Sequence, residues 1–295
     1  MNNWMLEILR NPKTGKPFSL LGNDKLVDED GVMFPIFNDV PVFLEQQSSG
    51  SESETTFKYV EHYTKDAEVF DYHRERDRLY KVNAELLHHR VISEIPKGAK
   101  LLLDVGCGSA FIAKHFMGKE TCVVSLDIAR VNAEKAVKMY PSERHSSVVA
   151  DVFALPFAAS SFDCIVASEI IEHTVDPKDF IEALSVLLKP NGVLIVSAPY
   201  KEKLEYSLCI HCNCPTPKNA HLHSLDEEKM KALVAEVPAV SIEKIRLVGN
   251  KLLLYSRMVL ALRAMGFAVL KMMDRIVNVV IPKSQHFVIK LTRII

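Results

Sequence analysis

The sequence lacks an apolar run of the roughly 18 residues that a membrane-spanning helix needs. It also lacks a basic excess, because 36 basic residues are balanced by 37 acidic ones and the formal net charge is −1. General nucleic-acid binding is therefore not expected. The first residues have no secretory signal pattern, and there are only six cysteines in 295 residues. We expect a cytoplasmic protein in which the cysteines are free thiols or metal ligands.

Three regions differ in composition. Residues 1–46 contain short β-type segments, among them Lys25–Asp28 and Val32–Phe37. Residues 47–54 are polar and of low complexity, which is typical of a linker. Residues 55–295 alternate apolar strands with amphipathic helices, which predicts a parallel sheet with crossover helices. The predicted strands of this larger domain are Leu101–Val105, Val123–Leu126, Ser147–Ala150, Cys164–Ala167 and Val193–Ser197.

A glycine turn follows the first of these strands, within Leu101–Ala110. Gly106 and Gly108 allow the backbone to turn sharply and to approach a ligand closely, although the third glycine of a dinucleotide site is missing. Asp127 ends the next strand and could accept hydrogen bonds from both hydroxyls of a ribose. Asp151 follows the third strand and could accept one from an adenine amino group. Each acid alone is equally typical of a helix cap or a turn, but the three elements together indicate a nucleoside site.

These segments, together with Phe162–Pro177, resemble class I S-adenosylmethionine-dependent methyltransferases, especially those of ubiquinone and menaquinone biosynthesis. The resemblance implies a Rossmann-like, doubly wound α/β fold with a mostly parallel seven-stranded sheet and a small N-terminal β-rich domain. Ala110 stands where the family usually has a third glycine, and we expect cofactor binding to survive this small change. The cofactor-binding residues that the resemblance implies are Asp104, Gly106, Cys107, Gly108, Asp127, Ile128, Asp151, Val152 and Ser168.

The segment Glu169-Ile-Ile-Glu-His173 after the fourth strand supplies the candidate catalytic residues. On a helical turn, Glu169, Glu172 and His173 would share a face. The pattern resembles Mg²⁺-assisted quinone O-methyltransferases, in which both acids and the histidine are ligands, and carboxylate oxygens suit Mg²⁺. The alternative is a metal-free turn in which the histidine orients the chain or acts as a base.

An insert at residues 207–223 carries three cysteines and three histidines within 15 residues. The Cys-x-x-Cys spacing is typical of zinc ligands, and a histidine could complete a tetrahedral site. The alternative is a loop with free thiols and a histidine that lines the active site. The candidate zinc ligands are Cys209, Cys212, Cys214, His221 and His223.

The N-terminal region resembles the zinc-ribbon-like accessory domains found beside some methyltransferases. Asn11-Pro-Lys-Thr14 stands where those domains have Cys-Pro-x-Cys, so no metal is expected there. About 45 residues are marginal for independent stability, and we expect this region to dock on the larger domain. Its predicted core consists of Leu6, Leu9, Phe34, Ile36, Val42 and Phe43.

Residues 252–281 predict one amphipathic helix with a basic polar face and a wide apolar face. The apolar face could pack on the core, on a second subunit or on a membrane surface. His286–Thr292 then predicts the last strand, and the resemblance to class I methyltransferases implies that it pairs antiparallel at the edge of the sheet. The residues of the predicted polar face are Arg257, Arg263, Lys271, Asp274 and Arg275.

The sequence therefore predicts an enzyme that methylates a small molecule on an oxygen of a quinone-, lipid- or glycan-like acceptor. Two alternatives stay open. One is an RNA or protein methyltransferase guided by the N-terminal region, and the other is a non-catalytic S-adenosylmethionine-binding protein used in assembly.

Overall fold

The computed structural model describes residues 1–44, 59–71, 74, 76–208 and 213–294. The linker predicted at 47–54 lies outside these residues. The described chain divides into two compact units. The first comprises Met1–Arg74, Gly98–Ile165 and Val186–Lys189, and the second comprises Glu75–Lys97, Val166–Ser185 and Pro190–Ile295.

The elements are numbered in chain order. The strands are β1 (Phe18–Leu21), β2 (Lys25–Asp28), β3 (Met33–Phe37), β4 (Val40–Pro41), β5 (Leu101–Val105), β6 (Cys122–Asp127), β7 (His145–Val149), β8 (Phe162–Ser168), β9 (Leu188–Pro199), β10 (Tyr206–Leu208), β11 (Pro215–Pro217), β12 (Val240–Asn250) and β13 (Ser284–Arg293). The helices are α1 (Asn3–Ile8), α2 (Tyr59–Val69), α3 (Arg78–Glu94), α4 (Phe111–Phe116), α5 (Arg130–Met139), α6 (Pro177–Leu187), α7 (Glu227–Ala235), α8 (Lys251–Tyr255), α9 (Met258–Met265) and α10 (Phe267–Val280).

The main sheet has seven strands in the order β12-β13-β9-β8-β5-β6-β7, which confirms the predicted Rossmann-like class. β5 pairs in parallel with β6, and β6 pairs in parallel with β7. Leu102 and Leu103 of β5 are fully buried, because a central parallel strand is covered on both faces. Parallel strands joined by helices bring their carboxyl ends to one edge, so the turn after β5 and the end of β6 lie side by side.

The last strand differs from the expectation in its place. β13 pairs antiparallel with β9 on one side and with β12 on the other. β12 therefore occupies the edge of the sheet, and the expectation that His286–Thr292 would form the edge strand is wrong. The pairing direction itself was predicted.

The N-terminal strands β1 to β4 form an antiparallel sheet in chain order. Where the resembling domains carry cysteines, buried hydrogen bonds join the loops. Asn11 Nδ2 donates to Asp28 Oδ2 at 2.6 Å, and the other carboxylate oxygen accepts from the backbone N–H groups of Asp30 and Val32 at 2.9 Å. Of the predicted core, Leu9, Ile36 and Phe43 are buried, whereas Leu6, Phe34 and Val42 are half-buried. The prediction missed the buried residues Met5, Phe18, Leu26 and Val40.

This N-terminal region docks on the strands of its own unit, as expected from its small size. Val42 forms a parallel bridge with Val149 of β7, and the Phe43 N–H donates to the Val149 carbonyl at 2.8 Å. Val40, Ala133 and Val149 are buried together. The region thus continues the hydrogen-bonding pattern of the main sheet beyond β7.

The prediction of one continuous helix over 252–281 is wrong. The structure has α8, α9 and α10, separated at Arg257 and Gly266, whose φ angles of 59° and 134° do not fit a right-handed helix. Asp274 does not belong to a polar face either, because it is buried and accepts hydrogen bonds from the backbone N–H groups of Gly249 and Asn250. Among the described residues, no helix is both long and apolar enough to cross a membrane.

Asn250 joins this helical insert to the sheet and yields a stability prediction. Its buried side chain caps α8 at the Leu252 N–H and donates to Asn278 Oδ1 and to the Ile281 carbonyl, both at 2.8 Å. Asn250→Ala should lower the free energy of unfolding by about 2–4 kcal/mol, since a cap is lost and buried acceptors lose a donor. Urea unfolding measures the change. Ser256→Ala, at an exposed position of the same insert, should change it by about 0.5 kcal/mol or less; equal losses in the two variants would contradict this account.

Candidate functional site

The glycine turn after β5 belongs to the first unit. Gly106 and Gly108 adopt φ angles of 64° and 45°, in the left-handed region that glycine tolerates without strain. Ala110 has a φ of 53° and precedes α4. A non-glycine residue in this conformation costs about 1–2 kcal/mol. Ala110 therefore adopts the left-handed backbone conformation that a glycine would favour at this position.

Asp127 at the end of β6 fixes the geometry of this turn. Its Oδ2 accepts from the Gly108 N–H at 3.1 Å and from Asn132 Nδ2 at 3.2 Å, while Oδ1 accepts from the Ala129 N–H at 2.9 Å. Burial raises the pKa of Asp127 above its ordinary value, and these hydrogen bonds oppose the rise. Asp127 therefore holds the glycine turn and the start of α5 in one arrangement.

Asp104 and Cys107 are the other buried polar groups of the turn. Asp104 is only 2% exposed, and its Oδ2 has no hydrogen-bond partner among the residues that the structure describes. Burial, with a smaller contribution from the charge of Asp127, raises the pKa of Asp104 well above 3.8. Burial also raises the pKa of the Cys107 thiol, which argues against a nucleophilic role. A buried carboxyl oxygen without a donor is costly, so Asp104 is suited to a ligand that brings a donor or a positive charge.

Asp151 follows β7 and is already engaged on both oxygens. The Tyr59 hydroxyl donates to Oδ2, and the Phe153 N–H donates to Oδ1 at 3.0 Å. Tyr59 is the first residue of α2. Ile128 and Val152 are half-buried beside the two acids in sequence. Tyr59 was not predicted, because a tyrosine after a polar linker carries no signal that would connect it with an aspartate 92 residues later.

The second unit contains the end of β8 and the predicted reacting residues. Ser168 Oγ lies 2.8 Å from Ser197 Oγ, and Ser197 Oγ donates to Glu169 Oε1 at 2.9 Å. The other oxygen of Glu169 accepts from His286 Nδ1 at 2.8 Å. Burial acts to raise the pKa of Glu169, but the charge and hydrogen bond of His286 and the hydrogen bond from Ser197 lower it overall. Glu169 is thus a fully engaged carboxylate, and its partner His286 on β13 was not predicted.

Glu172 has the opposite environment. Its side chain is 1% exposed, and neither carboxyl oxygen has a hydrogen-bond partner within the described part of the chain. Burial, together with the nearby charge of Glu169, raises the pKa of Glu172 well above 4.5. The backbone carbonyl of Glu172 accepts from the N–H groups of Leu222 and His223, at 2.7 and 3.3 Å. The turn that contains Glu172 is therefore hydrogen-bonded to the end of the insert at residues 207–223.

His173 and His221 lie beside the Glu172 carboxyl. His173 Nε2 is 4.0 Å from Glu172 Oε1, and the two imidazole rings meet edge to face with centroids 4.7 Å apart. His173 Nδ1 donates to the Ala220 carbonyl at 3.3 Å, and His221 Nδ1 donates to the Glu202 carboxylate. Ligand atoms of Glu172, His173 and His221 all lie within 4.8 Å of one another. Glu202 was not predicted as a member of this cluster.

Among the described residues, the three predicted Mg²⁺ ligands are not grouped as expected. Glu169 is engaged by Ser197 and His286 and is not in the group of Glu172, His173 and His221. Cys209 and Cys212 lie outside the described residues, and Cys214 is exposed. His223 Nε2 donates to the Thr174 carbonyl at 2.9 Å. A zinc site with the cysteines stays a prediction.

Comparisons with known proteins identify a similar family, similar sequences and similar folds. Residues 103–196 match the family model described as a methyltransferase domain. Over 125 residues, the chain is 29% identical to the ubiquinone biosynthesis O-methyltransferase of Ruegeria pomeroyi, which covers 40% of this chain and 48% of the relative. The chain thus spans about half the length of the curated relatives that it matches.

Two solved structures share the fold at low identity. One is an S-adenosylmethionine-dependent methyltransferase from Mesorhizobium loti, with a TM-score of 0.50, 14% identity, and coverage of 70% of this chain and 96% of that one. The other is the cyclase SpnF, with a TM-score of 0.52, 18% identity, and coverage of 71% and 80%. Residues 103–196 are therefore similar to the methyltransferase domain family, and the sheet in which they lie has the class I, Rossmann-like fold of S-adenosylmethionine-dependent methyltransferases.

Proposed function

We propose that this protein transfers a methyl group from S-adenosylmethionine to a hydroxyl oxygen of a small molecule of the quinone, lipid or glycan class. The observation that carries the proposal is the unpartnered, buried carboxyl oxygen of Asp104 beside a glycine turn, within a segment that matches a methyltransferase domain. Curated relatives named as ubiquinone biosynthesis O-methyltransferases support an oxygen acceptor.

The first unit offers groups for each part of the methyl donor. Asp104 is suited to the methionine amino group, because that group would bring a hydrogen-bond donor and a positive charge to the unpartnered carboxyl oxygen. Gly106, Cys107 and Gly108 offer a backbone that a ligand can approach closely. Asp127 with Ile128 is assigned to the ribose, and Asp151 with Val152 to the adenine. The adenine amino group would then donate to Asp151 either alongside the Tyr59 hydroxyl or in its place.

Bound S-adenosylmethionine supplies a methyl group that a sulfonium sulfur already activates. In the reaction, a lone pair of the acceptor oxygen forms a bond to the methyl carbon, the carbon–sulfur bond breaks, and its electron pair stays on sulfur. The acceptor hydroxyl loses its proton. The protein's task is to position the acceptor, exclude water and take up that proton.

His173 is the residue that we assign to the acceptor proton. Its Nδ1 donates to the Ala220 carbonyl, which favours the tautomer whose Nε2 can accept a proton, and Nε2 lies 4.0 Å from Glu172 Oε1. Glu169, whose pKa is lowered, supplies negative charge nearby, and Ser168 supports it through Ser197. The predicted Mg²⁺ set does not fit this arrangement, because the Glu169 oxygens already accept from Ser197 and His286, and no step is assigned to that ion.

The fold does not define the reaction, as its similarity to a cyclase illustrates. An RNA or protein acceptor and a non-catalytic binding role are therefore the alternatives to test. The near-neutral net charge of −1 argues against an RNA acceptor.

Cofactor binding gives the first test of the proposal. Calorimetry should show that S-adenosylhomocysteine binds, and Asp127→Ala should weaken binding by about 1–3 kcal/mol through the loss of charge-assisted hydrogen bonds. Asp30→Ala, at an exposed position in the N-terminal sheet, is the control and should bind like wild type. Absence of binding by the wild type at millimolar ligand would refute the proposal.

Catalysis gives the second test. His173→Ala should lower kcat by about 10²–10⁴ while cofactor affinity stays nearly unchanged, because the histidine acts on the acceptor. The exposed His115 on α4 provides the control, and His115→Ala should retain activity. The wild-type pH–rate profile should have an acidic limb that His173→Ala removes, because a base must be unprotonated to act. Full activity in His173→Ala would leave the turn with a structural role only.

The helical insert supports a proposal about where the acceptor is met. Tyr255, Val279 and Val280 are 77%, 80% and 74% exposed. Two exposed cations belong to the same insert, Arg257 between α8 and α9 and Arg275 on α10. Apolar side chains flanked by positive charge complement the surface of an anionic bilayer. We infer peripheral contact of α8–α10 with anionic lipid, which suits a lipid-like acceptor.

Vesicle flotation tests the lipid contact. The protein should float with vesicles that contain phosphatidylserine and should be released by salt, because charge attraction contributes. The double change Val279→Ser and Val280→Ser should abolish flotation, whereas Val69→Ser, at an 88% exposed valine of α2, should not. If the protein instead stays in solution as a dimer that the double change dissociates, the apolar face binds a second subunit.

A further inference from the structure

The cluster of Glu172, His173 and His221 has the composition and spacing of a metal site that differs from both predicted sets. The first residue is a buried carboxyl and the other two are half-buried imidazoles, with ligand atoms within 4.8 Å of one another. We propose that these three side chains bind one divalent transition-metal ion of the zinc class. This proposal stands apart from the methyl-transfer activity, since it rests on the arrangement of the ligands alone.

The Glu172 carboxyl is the first reason. It is 1% exposed, and its two oxygens have no hydrogen-bond partner among the described residues. A carboxylate buried in this way costs several kcal/mol unless a cation or donor compensates it. A divalent ion would supply that compensation directly.

The orientation of the two imidazoles is the second reason. His173 donates from Nδ1 to the Ala220 carbonyl, and His221 donates from Nδ1 to the Glu202 carboxylate. Both hydrogen bonds favour the tautomer whose Nε2 carries a lone pair. Metal-binding histidines are held in this way, with the second nitrogen donating to a carbonyl or a carboxylate.

The rigidity of the cluster is the third reason. The N–H groups of Leu222 and His223 donate to the Glu172 carbonyl, and His223 Nε2 donates to the Thr174 carbonyl. The two segments that carry the ligands are thus joined on both sides of the cluster. Ligands held before the ion arrives lose little conformational entropy on binding.

The donor set selects the class of ion. Two imidazole nitrogens and one carboxylate oxygen suit Zn²⁺ and its transition-metal neighbours, whereas Mg²⁺ prefers oxygen ligands and retained waters. Three protein ligands also leave a coordination position open, as in catalytic zinc sites. If the proposed function holds, that position is available to an acceptor oxygen. With the ion bound, His173 Nε2 is a ligand and no longer the base, and the ion would lower the pKa of the acceptor oxygen in its place.

Metal titration of the full-length protein tests the proposal without any activity assay. Chelator-treated protein should bind about one equivalent of Zn²⁺ by calorimetry, and Co²⁺ should give visible absorption bands without a sulfur-to-cobalt charge-transfer band. His221→Ala and Glu172→Gln should each weaken Zn²⁺ binding at least about 10-fold. Glu202→Gln should weaken it about 10–100-fold, as expected for a residue that positions a ligand.

Cys214→Ser is the matched control, because it alters the neighbouring cysteine cluster and leaves the three ligands intact. It should bind Zn²⁺ like wild type. The proposal would be overturned if Cys214→Ser lost Zn²⁺ binding and the Co²⁺-loaded wild type showed a sulfur-to-cobalt band. Unchanged Zn²⁺ binding in both His221→Ala and Glu172→Gln, or no Zn²⁺ binding by the wild type, would also overturn it. Calorimetry with S-adenosylhomocysteine on the same samples verifies that each variant is folded and separates failure of the metal site from failure of the proposed function.

Discussion

Carboxyl groups that are buried or half-buried, at or just after the ends of apolar strands, are the constraint on which the proposed chemistry in both units depends. In each unit one acid is satisfied by the protein and another is not. Asp127 accepts from Gly108, Ala129 and Asn132, and Glu169 accepts from Ser197 and His286. Asp104 and Glu172 have carboxyl oxygens without a partner in the described chain. Because burial of an uncompensated carboxyl is costly, the unsatisfied acids indicate where a ligand contributes to stability.

The sequence was most informative where local chemistry decides the structure. The apolar runs of β5, β6 and β8 and the glycines between them need few long-range contacts to be recognised, and the fold class followed from them. His286 and Tyr59 could not be found in this way, because their partners are distant in sequence. His286 is 117 residues from Glu169, and Tyr59 is 92 residues from Asp151. Hydrophobic periodicity also failed to predict the break in the helical insert of α8–α10, where the positive φ at Arg257 interrupts a sequence pattern that is helical on both sides.

The predicted site residues illustrate the same limit. Spacing placed Glu169, Glu172 and His173 on one face, as a regular helix would. The chain instead enters the turn through Glu169 in the left-handed region, with a φ of 59°, and only then forms a short 3₁₀ turn over Ile171–His173. That reversal engages Glu169 with His286 and leaves Glu172 and His173 with His221. A sequence pattern identified the right residue types, but the backbone conformation of one residue decided which of them meet.

The most direct measurement of the central claim is transfer of label from methyl-labelled S-adenosylmethionine to fractionated extract of the source organism, with mass analysis of the products. The account predicts a small-molecule product that is one methyl group heavier, stoichiometric release of S-adenosylhomocysteine, and loss of both with the His173→Ala protein. Label that enters only RNA or protein, or no transfer by protein that demonstrably binds S-adenosylhomocysteine, would contradict it.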